Sequence, residues 1–236
     1  MRAISIQFFA GRGPCRLCHA PATPGKPLCQ RCYRALPHLG PACERCALPL
    51  EGVAAPVPLC GECLADPPPF DRVLVPFRYR TPLHDLVSRF KYHGALSDGR
   101  LLGELLAAHV HQAATAIPLL LPMPLHAARL RERGYNQAAE LTRVVSRACA
   151  IPWRSNALAR QQAGPPQREA HRRERLRNVR TAFHCAASDL PARVAIIDDV
   201  VTTGATARAA AACLKAAGVE WVEVWAVART PRPGED

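Results

Sequence analysis

Two adjacent carboxylates, Asp198 and Asp199, stand directly after the apolar run Val194-Ala195-Ile196-Ile197 and shortly before a stretch of small and hydroxylic residues. A carboxylate pair can accept hydrogen bonds from a vicinal diol. The following Thr202, Thr203, Gly204, Ala205 and Thr206 offer backbone N–H groups and hydroxyls to one phosphate, and Gly204 lets the main chain approach the anion closely. Diol and phosphate together describe a phosphorylated sugar. Such chemistry needs positioning. The apolar run reads as a strand covered on both faces that delivers the acids to its carboxyl end, and Ala205 to Ala217 reads as a helix whose positive end faces the phosphate.

A second group of chemical residues lies at the other end of the chain. Of eleven cysteines, eight form four CxxC clips, Cys15/Cys18, Cys29/Cys32, Cys43/Cys46 and Cys60/Cys63, separated by short turns rich in Pro and Gly. Each clip places two sulfurs on one tight turn, and two clips complete a tetrahedral Cys₄ site, so about two structural Zn²⁺ ions are expected. We pair the first two clips and the last two. A crossed pairing, first with third and second with fourth, satisfies the same spacing. Four thiolates leave no open position for a substrate, and a segment this poor in large apolar residues takes most of its folding free energy from the metal. Cys149, Cys185 and Cys213 read as small packing residues.

The elements between these groups alternate. The run Pro67-Pro68-Pro69 is stiff and places a boundary between a double zinc ribbon over residues 1–66 and an α/β domain over residues 70–236. On that reading Cys18→Ser unfolds the ribbon and spares the α/β core. Val73, Val75, Phe77 and Tyr79 alternate as in a half-buried strand. Leu83, Leu86, Val87 and Phe90 then repeat at helical spacing as far as Lys91, with Gly94 as a stop. A second helix is expected from Arg100 to Ala116, a short buried strand over Leu119 to Leu121, and a helix capped by Asn136. Ser155 to Arg180 reads as a long loop between two short strands, and Val222, Val224, Ala226 and Ala228 as a final strand. Strands alternating with helices predict a parallel α/β sheet.

The formal net charge is +12, and metallated thiolates leave the chain basic. Thirteen arginines against four glutamates lie between His126 and Arg180, a density suited to a diphosphate, to a nucleic acid backbone, or simply to a solvated basic face. Tyr135 and Trp153 are the nearby aromatics that could stack a base, although both suit a core. The start of the chain lacks a long apolar run, no spanning segment is present, and CxxC clips belong to a reducing compartment, so a cytoplasmic location is expected.

The stretch Val194 to Thr206 resembles the phosphoribosyl pyrophosphate (PRPP) motif of type I phosphoribosyltransferases. The resemblance narrows to the ComF family of competence-related proteins, also represented by GntX. It is carried by the paired clips, by Lys91-Tyr92-His93-Gly94, by Pro122-Met123-Pro124 followed by Arg133-Gly134-Tyr135-Asn136-Gln137, by the Gln167 to Asn178 loop, and by the acidic pair. It implies a type I phosphoribosyltransferase-like sheet, with Asp198 and Asp199 on the ribose hydroxyls and Thr202, Thr203, Gly204, Ala205 and Thr206 on the 5′-phosphate. Mg²⁺ would accompany PRPP. Within Pro124 to Arg133, Arg131 and Arg133 become diphosphate candidates, and Gln167, Arg172, Arg173, Arg177 and Asn178 candidates on a closing loop. Enzymes acting on 6-oxopurines carry an aspartate two residues before the glycine, where this chain has Thr202, so a carboxylate base is missing and no catalytic residue is assigned. Three functions stay open: a DNA-uptake protein with a PRPP site that binds single-stranded DNA, a phosphoribosyltransferase on an unidentified acceptor, or a zinc-stabilised adaptor of DNA-uptake proteins.

Overall fold

The computed structural model describes residues 13–24, 27–50, 52, 59–113, 115–160 and 183–232. Two short helices, α1 (Gln30–Arg34) and α2 (Gly61–Ala65), follow the second and fourth clips. The α/β part then runs β1 (Arg72–Leu74), β2 (Phe77–Arg78), α3 (Leu83–Tyr92), α4 (Leu96–Gln112), β3 (Leu120–Pro122), α5 (Ala127–Arg133) and α6 (Gln137–Cys149). It continues through β4 (Leu158–Arg160), β5 (Phe183–Cys185), β6 (Arg193–Val201), α7 (Ala205–Ala216) and β7 (Trp221–Arg229).

One parallel sheet has the order β1-β7-β6-β3, with β2 also beside β7, and β4 and β5 form a separate antiparallel pair. Both faces of its central strands are covered, as a continuous apolar run requires. Along β6, Val194 and Ile196 face one core together with Val222, Val224 and the α7 residues Ala210 and Leu214. Ala195 and Ile197 face the other, with α3, α4 and the α6 residues Leu141 and Val145.

The strand expected to be half-buried is buried on both sides and divided, because Pro76 has no N–H to continue the ladder. Its second cover is the cysteine region. Cys43, Cys46, Cys60 and Cys63 pack into the first core with Val73 and Val75, whereas Cys15, Leu28 and Leu36 pack into the second with Leu74 and Phe77. The two clip pairs therefore grip the β1 edge from opposite faces. Backbone bonds close the edge itself: Val73 N–H donates to Arg45 O at 2.8 Å, Leu39 N–H to Pro76 O at 3.0 Å, and Arg78 N–H to Pro37 O at 2.7 Å. A sheet edge left open would invite pairing with another chain. The expectation of two independent cores is thus corrected: the boundary at the proline run divides the topology, while the hydrophobic packing crosses it.

Two other differences are local. Helix α4 begins at Leu96 rather than Arg100, and α5, with its run of arginines, was read as irregular chain. A Cβ at Gly99 would lie 2.3 Å from the Phe90 ring, so the first turn of α4 leaves room for the residue that anchors the end of α3. That end carries Lys91 and Tyr92.

Candidate ligand site and zinc centres

The acidic pair lies within β6, not beyond it, because Val200 and Val201 continue the ladder beside β7. Asp199 is buried, and its Oδ1 is 2.9 Å from Lys91 Nζ, itself largely covered at the end of α3. Asp198 is half-buried and accepts the Asp199 N–H on its own Oδ1 at 2.8 Å. Burial first, and then the like charge of Asp199, push Asp198 up to about 7, while Lys91 and Arg160 pull in the opposite direction. Burial also raises the Tyr79 phenol, which stands in the opposed fields of Lys91 and Asp199. The pair is therefore asymmetric: one carboxylate holds a fixed cation and the other is short of one.

The phosphate loop is open. Thr202, Thr203, Ala205 and Thr206 are exposed, Gly204 takes φ 77° as the N-cap of α7, and no side chain caps that helix. Its first N–H groups are thus free for an anion, apart from Ala205 N–H, which donates to Thr203 Oγ1 at 3.3 Å. The loop is held from behind by Arg229, the last residue of β7. Buried, it donates through Nη1 to Val201 O at 3.1 Å, to Thr230 O at 2.9 Å and to Thr202 O, and through Nε to Cys46 O at 3.2 Å. One guanidinium ties the start of the phosphate loop to the third cysteine clip. Arg208 on α7 reaches the same region, with Nη1 3.0 Å from Asp66 Oδ2.

On the opposite side of β6, Met123 N–H donates to Ile197 O at 2.8 Å and Asn136 Nδ2 to Met123 O at 3.1 Å. Asn136 also caps α6, accepting from Ala138 N–H at 2.9 Å. The Pro122 to Pro124 segment is thereby fixed next to the acidic pair. Of the diphosphate candidates, Arg133 stacks over Tyr92, its Cζ 5.0 Å from the ring centroid, and Arg131 is exposed on α5. Gln167, Arg172, Arg173, Arg177 and Asn178 lie outside the described residues. Lys91, Arg160 and Arg229 were not read as site residues. Their signals are faint: a lysine ending an amphipathic helix, an arginine in a short strand, and an arginine closing a wholly apolar one.

The eight clip cysteines form two groups, Cys15, Cys18, Cys29, Cys32 and Cys43, Cys46, Cys60, Cys63, each with all its sulfurs within 4.8 Å of one another. This decides the pairing in favour of consecutive clips. Backbone N–H groups point at the sulfurs, Cys60 to Cys43 Sγ at 3.2 Å and Cys32 to Cys29 Sγ at 3.4 Å. Four thiol donors at this separation fit Zn²⁺. Purified protein is expected to contain about two zinc ions per chain by elemental analysis, and folded protein with a stoichiometry near zero would contradict it.

Among the described residues no helix is long and apolar enough to cross a membrane. Residues 8–64 match the family model of the double zinc ribbon domain. Competence protein F of Haemophilus influenzae is 36% identical over 178 residues, covering 72% of this chain and 78% of that protein. The DNA utilization protein YhgH of Escherichia coli (strain K12) is 34% identical over 176 residues, and that of Salmonella typhi 33% over 176 residues, each covering 72% of this chain and 78% of the relative. A solved structure of glutamine phosphoribosylpyrophosphate (PRPP) amidotransferase from B. subtilis, complexed with ADP and GMP, overlaps with a TM-score of 0.37 at 20% identity, covering 53% of this chain and 25% of that one.

Proposed function

Since the chain belongs to the family of competence protein F and the DNA utilization protein YhgH, we propose that it handles incoming DNA, with a PRPP-binding site at the β6 acidic pair and a single-stranded DNA surface beside it. The observation that carries the ligand reading is the opposition across one strand end of Asp198 and Asp199 to an uncapped helix whose first turn is exposed. A ribose 5-phosphate unit has its diol and its phosphate at opposite ends, so these two features bind it at both.

In this reading Asp199, kept charged by Lys91, orients the ribose through one hydroxyl, and Asp198 takes the other. The loop from Thr202 to Thr206 receives the 5′-phosphate through N–H groups and hydroxyls, with Arg229 fixing the carbonyls at its start so that the loop presents donors rather than acceptors. Mg²⁺ suits Asp198, the carboxylate short of positive charge, and when bound supplies charge to the diphosphate. Thr202 stands where a carboxylate base would be needed, and no other acid is proposed in its place. Binding is therefore proposed ahead of turnover. Transfer of the phosphoribosyl group to an acceptor is the second reading, favoured by the intact acidic pair.

Titration calorimetry with PRPP and Mg²⁺ tests the ligand site, and pyrophosphate release in the presence of bases and nucleotides tests turnover. For DNA, anisotropy of a labelled single strand should weaken log-linearly with salt, by about 0.7 log units per log unit of salt for each phosphate neutralised. PRPP binding should show a shallower slope, because fewer counterions are displaced. No heat with PRPP would remove the ligand reading, and no binding of the strand at low salt would remove the DNA reading.

A further inference from the structure

Five large hydrophobic side chains are exposed among the described residues, and three of them, Tyr92, Leu96 and Leu130, belong to segments that meet beside the acidic pair. Tyr92 is 65% exposed. Its neighbour Lys91 holds Asp199, and Arg133, one turn along α5 from Leu130, lies over its ring. Arg133 is itself held by Gln137 Oε1, 3.0 Å from its Nη1. The support beneath is rigid, since Phe90 is wholly buried and seated against Gly99. Arg129 and Arg131 are exposed on the same short helix. An aromatic ring anchored on a helix end, backed by a guanidinium and flanked by free cations, is costly to leave in water and matches a base on one side and a phosphate on the other.

The aromatics singled out in the sequence are otherwise engaged. Tyr135 donates its hydroxyl to Phe90 O and packs against the Phe90 ring at 5.7 Å, and Trp153 bridges to β3 at Leu120. Tyr92 alone of this neighbourhood is mostly exposed.

We propose that Tyr92 and Arg133 form a base-stacking platform for single-stranded DNA, with one base on the exposed ring of Tyr92 and adjoining phosphates on Arg129 and Arg131. This rests on the DNA reading above and gives it a place. A duplex keeps its bases stacked on one another, so only an unpaired strand can use a lone exposed ring. The platform adjoins the PRPP site through the single peptide bond between Lys91 and Tyr92.

The test uses the full, zinc-loaded chain and a labelled oligothymidylate in fluorescence anisotropy. Tyr92→Ala is expected to weaken binding about tenfold while leaving the salt slope unchanged, because a stack and no phosphate contact is lost. Tyr92→Trp should retain binding. Arg129→Ala combined with Arg131→Ala should instead lower the slope by about one unit. Zinc content and melting temperature check that each variant is folded. Parent-like binding by folded Tyr92→Ala, or equal loss in Tyr92→Ala and Tyr92→Trp, would overturn the platform. Failure of the parent protein to bind the strand would overturn the DNA reading itself, a separate and distinguishable result.

Discussion

Cys46→Ser is expected to unfold the α/β sheet along with the ribbon. Cys46 is a member of the second four-cysteine group, packs in the same core as Ile196, Val222 and Leu214, and offers its carbonyl to Arg229. Binding of a structural Zn²⁺ contributes on the order of 10 kcal/mol to folding, whereas the net stability of a domain is about 5 to 15 kcal/mol. Loss of one site therefore consumes most of the margin. The variant should be insoluble, or should melt far below the parent in a single transition by circular dichroism. Soluble Cys46→Ser protein that has lost one zinc yet melts like the parent would show that the metal is not part of this core. The same logic revises the effect expected of Cys18→Ser, since its partner Cys15 is buried among Leu74, Phe77 and the α3 leucines.

Lys91→Gln is expected to weaken PRPP binding by about 3 kcal/mol, roughly two orders of magnitude, because it leaves Asp199 buried without its cation. It should also change the pH dependence in a definite direction. Asp198 is held up to about 7 by burial and by Asp199, so binding that needs two ionised carboxylates fades as pH falls through about 7. The charged and titratable groups facing the pair are Lys91 on α3, Arg160 on β4 and Tyr79 after β2. Removing Lys91 takes away a positive charge, so the pair holds its proton more tightly and the acid limb moves to higher pH. Calorimetry at several pH values with Lys91→Gln and Lys91→Arg measures this. An unchanged midpoint in a folded Lys91→Gln protein would mean that the lysine only packs.

The parts of this molecule legible in the sequence are those written in local pattern. The apolar run of β6 and the Asn136 cap were readable because burial on both faces and an N-cap oxygen each leave a signature within a few residues. The pairing of the clips was not, since consecutive and crossed arrangements have the same spacing. The Val73 to Tyr79 strand misled because its second cover comes from cysteine turns that carry no hydrophobic period of their own. The bonds from Lys91 to Asp199 and from Arg229 to the phosphate loop join residues distant in sequence. A charged residue that ends an apolar element looks the same whether it faces water or a buried partner.

The sheet order has a consequence for the birth of the protein. Its central strand β7 is the last element of the chain and pairs with β1, β2 and β6. Until Trp221 to Arg229 have left the ribosome, β1 and β6 have no common neighbour, and every long-range pairing in the middle of the sheet must wait. The cysteine clips, by contrast, are complete before any strand of the sheet is made. A nascent chain that has taken up zinc already owns the cover for one edge of the sheet while it waits for the centre. A message truncated just short of residue 221 would yield a protein with both zinc sites formed and no sheet to guard.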